Sequence, residues 1–288
     1  IGKQTLWLGI AIGTFVIVYV VEWEFWNSFA FPIYAVTIVL LILVLLVGTE
    51  IKGAKSWFSL FGMSFQPSEI AKFTTALAVS SFLSSYKTDI KNRNTLLIAL
   101  GLIGLPMVLI LLQPDAGAAF ENLLEPHQQD RINVWLRPEK SDPRGSRYNI
   151  IQSKRAIGSG GLKGKGFLQG DMTKLNYVPE QTTDFIFSTV GEEQGFIGSV
   201  GVIFLFTLLL SRIVIIAERA KNAFIQNYAY AVAGILFLHF FVNIGMALGL
   251  MPVIGIPLPF LSKGGSALLG FTIMISVLLR MDMARFRV

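Results

Sequence analysis

Long apolar runs separated by short polar intervals set the pattern of this chain. Apolar segments lie at about 5–21, 29–48, 69–86, 95–113, 195–217, 223–250 and 266–281, most of them close to the ~20 residues a helix needs to cross a bilayer. Seven spans are therefore visible. The first opens without a charged leader or a small-residue cleavage site, so it reads as a membrane helix and not as a removable signal peptide. The longest polar interval, Asp115 to Gln194, is too long to be a mere connector, and chemistry is expected there.

Composition supports the same class. Of the residues 53% are hydrophobic and 15% charged, and the mean hydropathy is +0.62, as in an all-α polytopic membrane protein. The absence of cysteine excludes disulfides and thiolate metal centres, and the two histidines, His127 and His239, lie far apart. The net charge of +6 is scattered through loops, as membrane topology alone would place it, so membrane lipids and not nucleic acid are the expected surroundings. Lys87, Lys91 and Arg93, then Arg212, Arg219 and Lys221, then Arg280, Arg285 and Arg287 mark cytoplasmic faces. The opposite side receives the loops Gly53 to Ser68 and Met251 to Gly265, together with the long polar segment.

Four stretches carry candidate chemistry. In "PEQTTDFIFSTVGEEQG", residues 179–195, Asp184 stands directly ahead of an apolar run; it is either a reactive carboxylate or the N-cap of a re-entering helix. "RAIGSGGLKGKGFLQGD", residues 155–171, combines six glycines with Arg155, Lys163 and Lys165, which suits an anionic headgroup as well as a flexible solvated loop. It fits no dinucleotide or Walker fingerprint. In "FQPSEIAKF", residues 65–73, Pro67 and Glu69 suit a first helical turn. Lys72 then falls on the face of Glu69, about 4.5 Å along the axis, and such a pair is expected to face the bundle interior or a water-filled cavity. In "LLQPDAG", turn chemistry accounts for Asp115 about as well as a site does. His239 and Asn243, with Gly245 and Gly249, read as a helix-packing face.

Taken in order, "GTEIKGAKSW", "FQPSEIAK", "LLQPDAG", "IGSGGLKGKG", "PEQTTDFIFSTVGEEQG", "NIGMALGLMPVIGIPLPF" and "SKGGSALLG" resemble the SEDS family (shape, elongation, division and sporulation), its elongation branch more than its division branch. The resemblance covers nearly the whole chain as one SEDS-type transmembrane domain, 1–288, with 115–194 as an extracytoplasmic loop region. It implies a peptidoglycan glycosyltransferase of the bacterial cytoplasmic membrane that polymerises lipid II on the outer face during cell elongation, with displacement of undecaprenyl diphosphate and inversion. Asp184 then becomes the general base, and Glu69 and Lys72 a supporting polar pair. Asp115, Lys55, Arg155, Lys163, Lys165 and Lys263 become candidate substrate-binding groups. No cofactor is required by the sequence, although a divalent cation, magnesium or manganese, could assist the leaving diphosphate. The implied partners are a class B penicillin-binding protein transpeptidase and the elongation machinery.

The family resembles a bundle of about ten spans, so three are lacking. Polar "ENLLEPHQQD" directly follows "QPDAGAAF", which points to a segment missing between Phe120 and Glu121; the loss of two helices there and one before Ile1 preserves the sidedness. Lys263 replaces the tyrosine of the SYGGS motif, and Ser56 replaces the second basic residue of a GAKRW-like loop. Two other readings are a lipid II transporter using Glu69, Lys72 and Asp115 as a polar path, and a membrane scaffold for the penicillin-binding protein.

Overall fold

The computed structural model describes residues 2–51, 54–60, 63–85, 91–113 and 146–284. In chain order the elements are α1 (Gly2–Val20), α2 (Trp23–Ser28), α3 (Ala30–Val47), β1 (Thr49–Ile51), β2 (Ala54–Leu60), β3 (Met63–Phe65), α4 (Pro67–Leu83) and α5 (Arg93–Leu111). They are followed by α6 (Ser146–Ser159), α7 (Asp171–Lys174), α8 (Ile186–Arg219), α9 (Ala223–Ala247) and α10 (Gly265–Ala284). Among the described residues a helix covers most of each of the seven apolar segments. Among these same residues five helices, α3, α5, α8, α9 and α10, are long and apolar enough to cross a membrane, while the apolar part of α1, Gln4–Val20, is slightly shorter. On α5 only 11% of the span is buried, and its bare Leu96, Leu97, Ile98 and Leu100 make sense only in an apolar solvent. The chain is an integral membrane protein.

The Gly53 to Ser68 region is not a plain loop. Its described part is a three-stranded antiparallel meander, β1-β2-β3, with Thr49 opposite Trp57 and Phe58 opposite Phe65. Aromatic and β-branched residues at these positions favour a pleated surface. A strand this short carries too little period-2 signal to stand out between two membrane helices.

Two compact units divide the chain, the first comprising Ile1–Glu121, Arg212–Ile235 and Gly265–Val288, the second Asn122–Ser211 and Leu236–Gly264. Within the first, α10 packs along α1 and α4, and α4 also packs on α3 and α5. An aromatic chain fills the centre: Trp26 meets Phe73 edge-on, Phe73 meets Tyr228, and Tyr228 stacks with Phe224. The phenol of the fully buried Tyr228 donates to the Met274 carbonyl at 3.1 Å, and that of Tyr34 to the Leu102 carbonyl at 2.9 Å. A buried hydroxyl needs such a partner.

The core of the second unit gathers Ala156, Val178, Phe185, Phe187, Ile244, Ala247 and Val253. Ser153 on α6 donates to the Ala247 carbonyl of α9 at 2.8 Å. Gly195, with φ 66° and ψ −159°, breaks α8 into a short entry piece and a long apolar piece. The break falls where the hydrophobic run begins.

Candidate functional site

Asp184 is half-buried and is set from three sides by its own unit. The neighbouring rings of Phe185 and Phe187 are buried in the core, which anchors the turn that carries it. Its backbone is then bonded residue by residue. The Lys263 amide donates to the Thr182 carbonyl at 2.7 Å, the Ser262 hydroxyl to the Thr183 carbonyl at 2.5 Å, and the Asn243 amide to the Asp184 carbonyl at 2.9 Å. Asn243 Nδ2 also donates to the Ile256 carbonyl at 2.8 Å, and His239 Nδ1 lies 3.1 Å from the Pro257 carbonyl, which fixes the proton on that nitrogen. One helix face thus ties the loop over Asp184 to the turn beneath it. A Cβ on Gly255, whose φ is +71°, would lie 3.4 Å from Asp184 Oδ2. Glycine at this position is what lets the backbone pass the carboxylate in a left-handed conformation.

This geometry revises two expectations. Helix α8 begins at Ile186, so the capping position falls on Phe185 and not on Asp184. His239 and Asn243 are not simple packing residues, because their polar atoms bind loop carbonyls on either side of Asp184.

The backbone of the glycine-rich stretch is stapled to α8. The amides of Lys165 and Gly166 donate to the carbonyls of Glu192 and Glu193 at 3.0 and 2.9 Å, and the amides of Phe196 and Ile197 donate back to Gly161 and Leu162 at 2.9 and 3.2 Å. A Cβ on Gly164 would lie 2.2 Å from the Glu193 carbonyl oxygen, and one on Gly195 would lie 2.3 Å from the Gly164 nitrogen. Those two glycines are therefore needed for close backbone approach. The Glu192 carboxylate, 0% exposed, takes four hydrogen bonds: Lys165 Nζ and Met172 N at 2.9 Å each on Oε1, Thr173 N at 2.9 Å and Thr173 Oγ1 at 2.7 Å on Oε2. Glu193 Oε2 accepts the Leu168 amide at 3.0 Å. Lys165 also pairs with Asp171 at 3.1 Å, and the bonds to Glu192 and Asp171 hold its ammonium above the usual lysine range.

Of the other candidate groups, Arg155, Lys163 and Lys263 are exposed. Lys55 lies on β2 opposite Glu50 of β1, while Asp115 and the 120/121 junction lie outside the described residues. In the first unit Lys72 Nζ donates to Glu69 Oε2 at 2.8 Å and stands 5.1 Å over the Phe271 ring. Glu69 is buried. The expected pair is thus formed, and the cavity that Lys72 borders is lined mainly by apolar side chains. Lys72 borders a cavity of about 410 Å³ walled by α4, α5 and α9 through residues such as Val79, Ile103, Pro106, Met107 and Ile235. Among the described residues no group of three or more His, Asp or Glu side chains could hold a metal.

Sequence reasoning missed Glu192, Glu193 and Ser262. Two adjacent acids in "GEEQG" at the mouth of an apolar helix were the available signal, since a carboxylate so placed must find donors.

Apolar helices of membrane-spanning length and a half-buried aspartate on a cross-tied turn define a polytopic membrane protein with a polar site. The chain belongs to the FtsW/RodA/SpoVE family of cell cycle proteins, whose model matches residues 1–123 and 118–286. This bears out the SEDS resemblance. The peptidoglycan glycosyltransferase MrdB of Escherichia coli K12 is 38% identical over 312 aligned residues, covering 93% of this chain and 83% of that protein. The alignment is longer than the 288 residues of the chain, so MrdB carries residues within it that this chain lacks. A chain from a structure on the coordination of polymerization and crosslinking by a peptidoglycan synthase complex superposes with a TM-score of 0.81 at 30% identity, covering 99% of this chain and 90% of that one. A mutant of the Thermus thermophilus rod shape determining protein RodA gives 0.72 at 32% identity, with 99% and 88% coverage.

Proposed function

We propose that this protein is a peptidoglycan glycosyltransferase that polymerises lipid II at the outer face of the cytoplasmic membrane, with Asp184 as general base. The observation that supports the reading is the cross-tied backbone of the turn that carries Asp184. Three hydrogen bonds hold that turn, two buried phenylalanines anchor it, and Gly255 lets the neighbouring backbone pass in a left-handed conformation. The names of the relatives support the reaction. In the step, the 4-hydroxyl oxygen of the acceptor sugar attacks C1 of the donor. The C1–O bond to the diphosphate breaks with inversion, the hydroxyl proton passes to Asp184, and the diphosphate leaves with the bonding electrons.

Exposed Arg155, Lys163 and Lys263 suit the diphosphate, and Lys55 and Asp115 remain substrate contacts in this proposal. Lys165 is committed to Glu192 and Asp171, so its contribution is to hold the loop. A divalent cation, magnesium or manganese, would be held mainly by the substrate's own phosphates. The basic loops support an orientation with the 146–194 region outside. Two overlapping family matches meeting at 118–123 and the extra aligned length in MrdB support a segment missing at 120/121. A class B penicillin-binding protein is the proposed partner.

The deciding experiment compares wild type with Asp184→Asn on labelled lipid II. The amide keeps size and hydrogen-bonding reach but is not a base, so strand formation should fall about 10² to 10⁴-fold while the thermal midpoint holds. Wild-type protein that moves lipid II across liposomes without making strands would be a transporter, and protein that does neither a scaffold.

A further inference from the structure

The glycine-rich loop has an unusual outer surface. Phe167 is 75% exposed and Leu168 64%, and Leu162, Leu175 and Tyr177 of the same unit are also exposed. Leu168 adopts φ 57°, a left-handed conformation that a leucine occupies only when its surroundings impose it. The buried Glu193 carboxylate supplies that constraint by accepting the Leu168 amide, and the Gly166 amide on the Glu193 carbonyl fixes the other side of Phe167. The protein therefore strains its backbone to hold two large apolar side chains outward. An apolar tip held in this way calls for an apolar partner.

Chain geometry identifies it. Leu162 and Gly161 accept the amides of Ile197 and Phe196, the first residues of the apolar piece of α8, so the loop is fastened to the point where the membrane helix starts. Phe196, Ile197, Val200 and Phe204 along that helix are exposed, and only 22% of the α8 span is buried. Leu162, itself exposed, is thus joined through its backbone to the start of that exposed apolar stripe, and Gly166 and Leu168, on either side of Phe167, are tied to Glu193, two residues before the Gly195 break. In the sequence, exposed Lys163 and Lys174 stand on either side of the tip. Apolar side chains beside lysines at a helix entrance match the headgroup–acyl boundary, where lysine stems lie along apolar surface while their heads meet phosphates.

We propose that Phe167 and Leu168, with Leu162, form a fixed apolar finger that inserts into the lipid headgroup–acyl boundary and sets the height of the glycine-rich loop at the membrane surface. The partner is the lipid surface, not a protein.

The cysteine-free chain allows a direct test by single-cysteine spin labelling. Phe167→Cys and Leu162→Cys protein carries a nitroxide in vesicles of phosphatidylethanolamine and phosphatidylglycerol, with Phe204→Cys as lipid reference and Lys221→Cys as water reference. Collision with oxygen and with a water-soluble nickel chelate is measured at each. The finger predicts oxygen favoured over nickel at 162 and 167, nearer to the value at 204 than to that at 221. A nickel-favouring value like that at 221 would place the tip in water, and suppression of both collisions would place it against protein. Either result overturns the proposal.

Discussion

Glu192→Gln is the substitution whose effect the structure constrains most tightly. The variant keeps the side-chain volume but puts an NH2 where one carboxylate oxygen was, and every group around that carboxylate is a donor. At the Oε1 position the NH2 would meet Lys165 Nζ and the Met172 amide, orphaning the amide and setting a donor against the lysine ammonium, which would keep only Asp171. At the Oε2 position it would meet the Thr173 amide and the Thr173 hydroxyl; the hydroxyl can turn to accept, so only one amide is orphaned. The second orientation is therefore adopted. It still loses a buried amide acceptor, at about 1–3 kcal/mol, and the charge that faced Lys165. Breaking a buried pair costs about 3–5 kcal/mol. Lys165 is 27% exposed and keeps Asp171, so the total falls near the low end, about 3 kcal/mol. That is roughly a hundredfold in a local opening equilibrium. Hydrogen exchange in nanodiscs should show the amides of Lys165, Leu168, Met172 and Thr173 exchanging faster by about that factor, with α9 around Tyr228 to Leu236 unchanged. Unchanged protection over 165–173 would refute the staple, and so would a uniform loss across the chain.

Two further outcomes follow from the cross-ties. Asn243→Ala strips donors from the Asp184 and Ile256 carbonyls, so kcat for lipid II polymerisation should drop about tenfold, the rate equivalent of ~1.4 kcal/mol, while KM stays near wild type; a variant with wild-type kcat would show that Asn243 does not position the base. Glu69→Gln removes the carboxylate 2.8 Å from Lys72 and should cost about 3 kcal/mol, with much of that recovered in Glu69→Gln/Lys72→Met; additive midpoint shifts across the cycle would show that the two residues are uncoupled.

How far the sequence carries the structure depends on what kind of signal each part leaves. The membrane helices were legible because an apolar run of bilayer length has few alternative explanations, and the start of the long span at 195 coincides with the break at Gly195. Glu69 and Lys72 were legible as a pair because helical spacing alone brings them together. The β-meander was not, since its strands are only three to seven residues long. The backbone partners of the glycine-rich loop were not legible for a physical reason: glycines that allow approach to an anion equally allow approach to another backbone, and the sequence does not name Glu193 and Gly195 as the ones approached. The role of Asn243 was hidden for a similar reason. Its acceptors lie 13 and 59 residues away, and no local spacing rule reaches that far.

The two departures from the family motifs can be weighed by which atoms do the holding. Lys263 stands where SYGGS carries tyrosine, yet its part in securing the Asp184 turn is played by its amide, donated to the Thr182 carbonyl at 2.7 Å. Any residue but proline could make that bond. Its side chain is exposed, so the replacement exchanges a phenol for an ammonium at the surface and leaves the anchor intact. Ser262 is constrained differently, because its hydroxyl both accepts the Leu258 amide at 2.8 Å and donates to the Thr183 carbonyl. Only another small hydroxyl can serve in both directions. Ser56 is buried on β2, where the long basic side chain seen in relatives of the GAKRW type would have to find a polar exit. The turn that carries Asp184 therefore depends on the side chains at 243 and 262 and on the backbone at 263, which is why a lysine is compatible with the site at 263 while an alanine at 262 would not be.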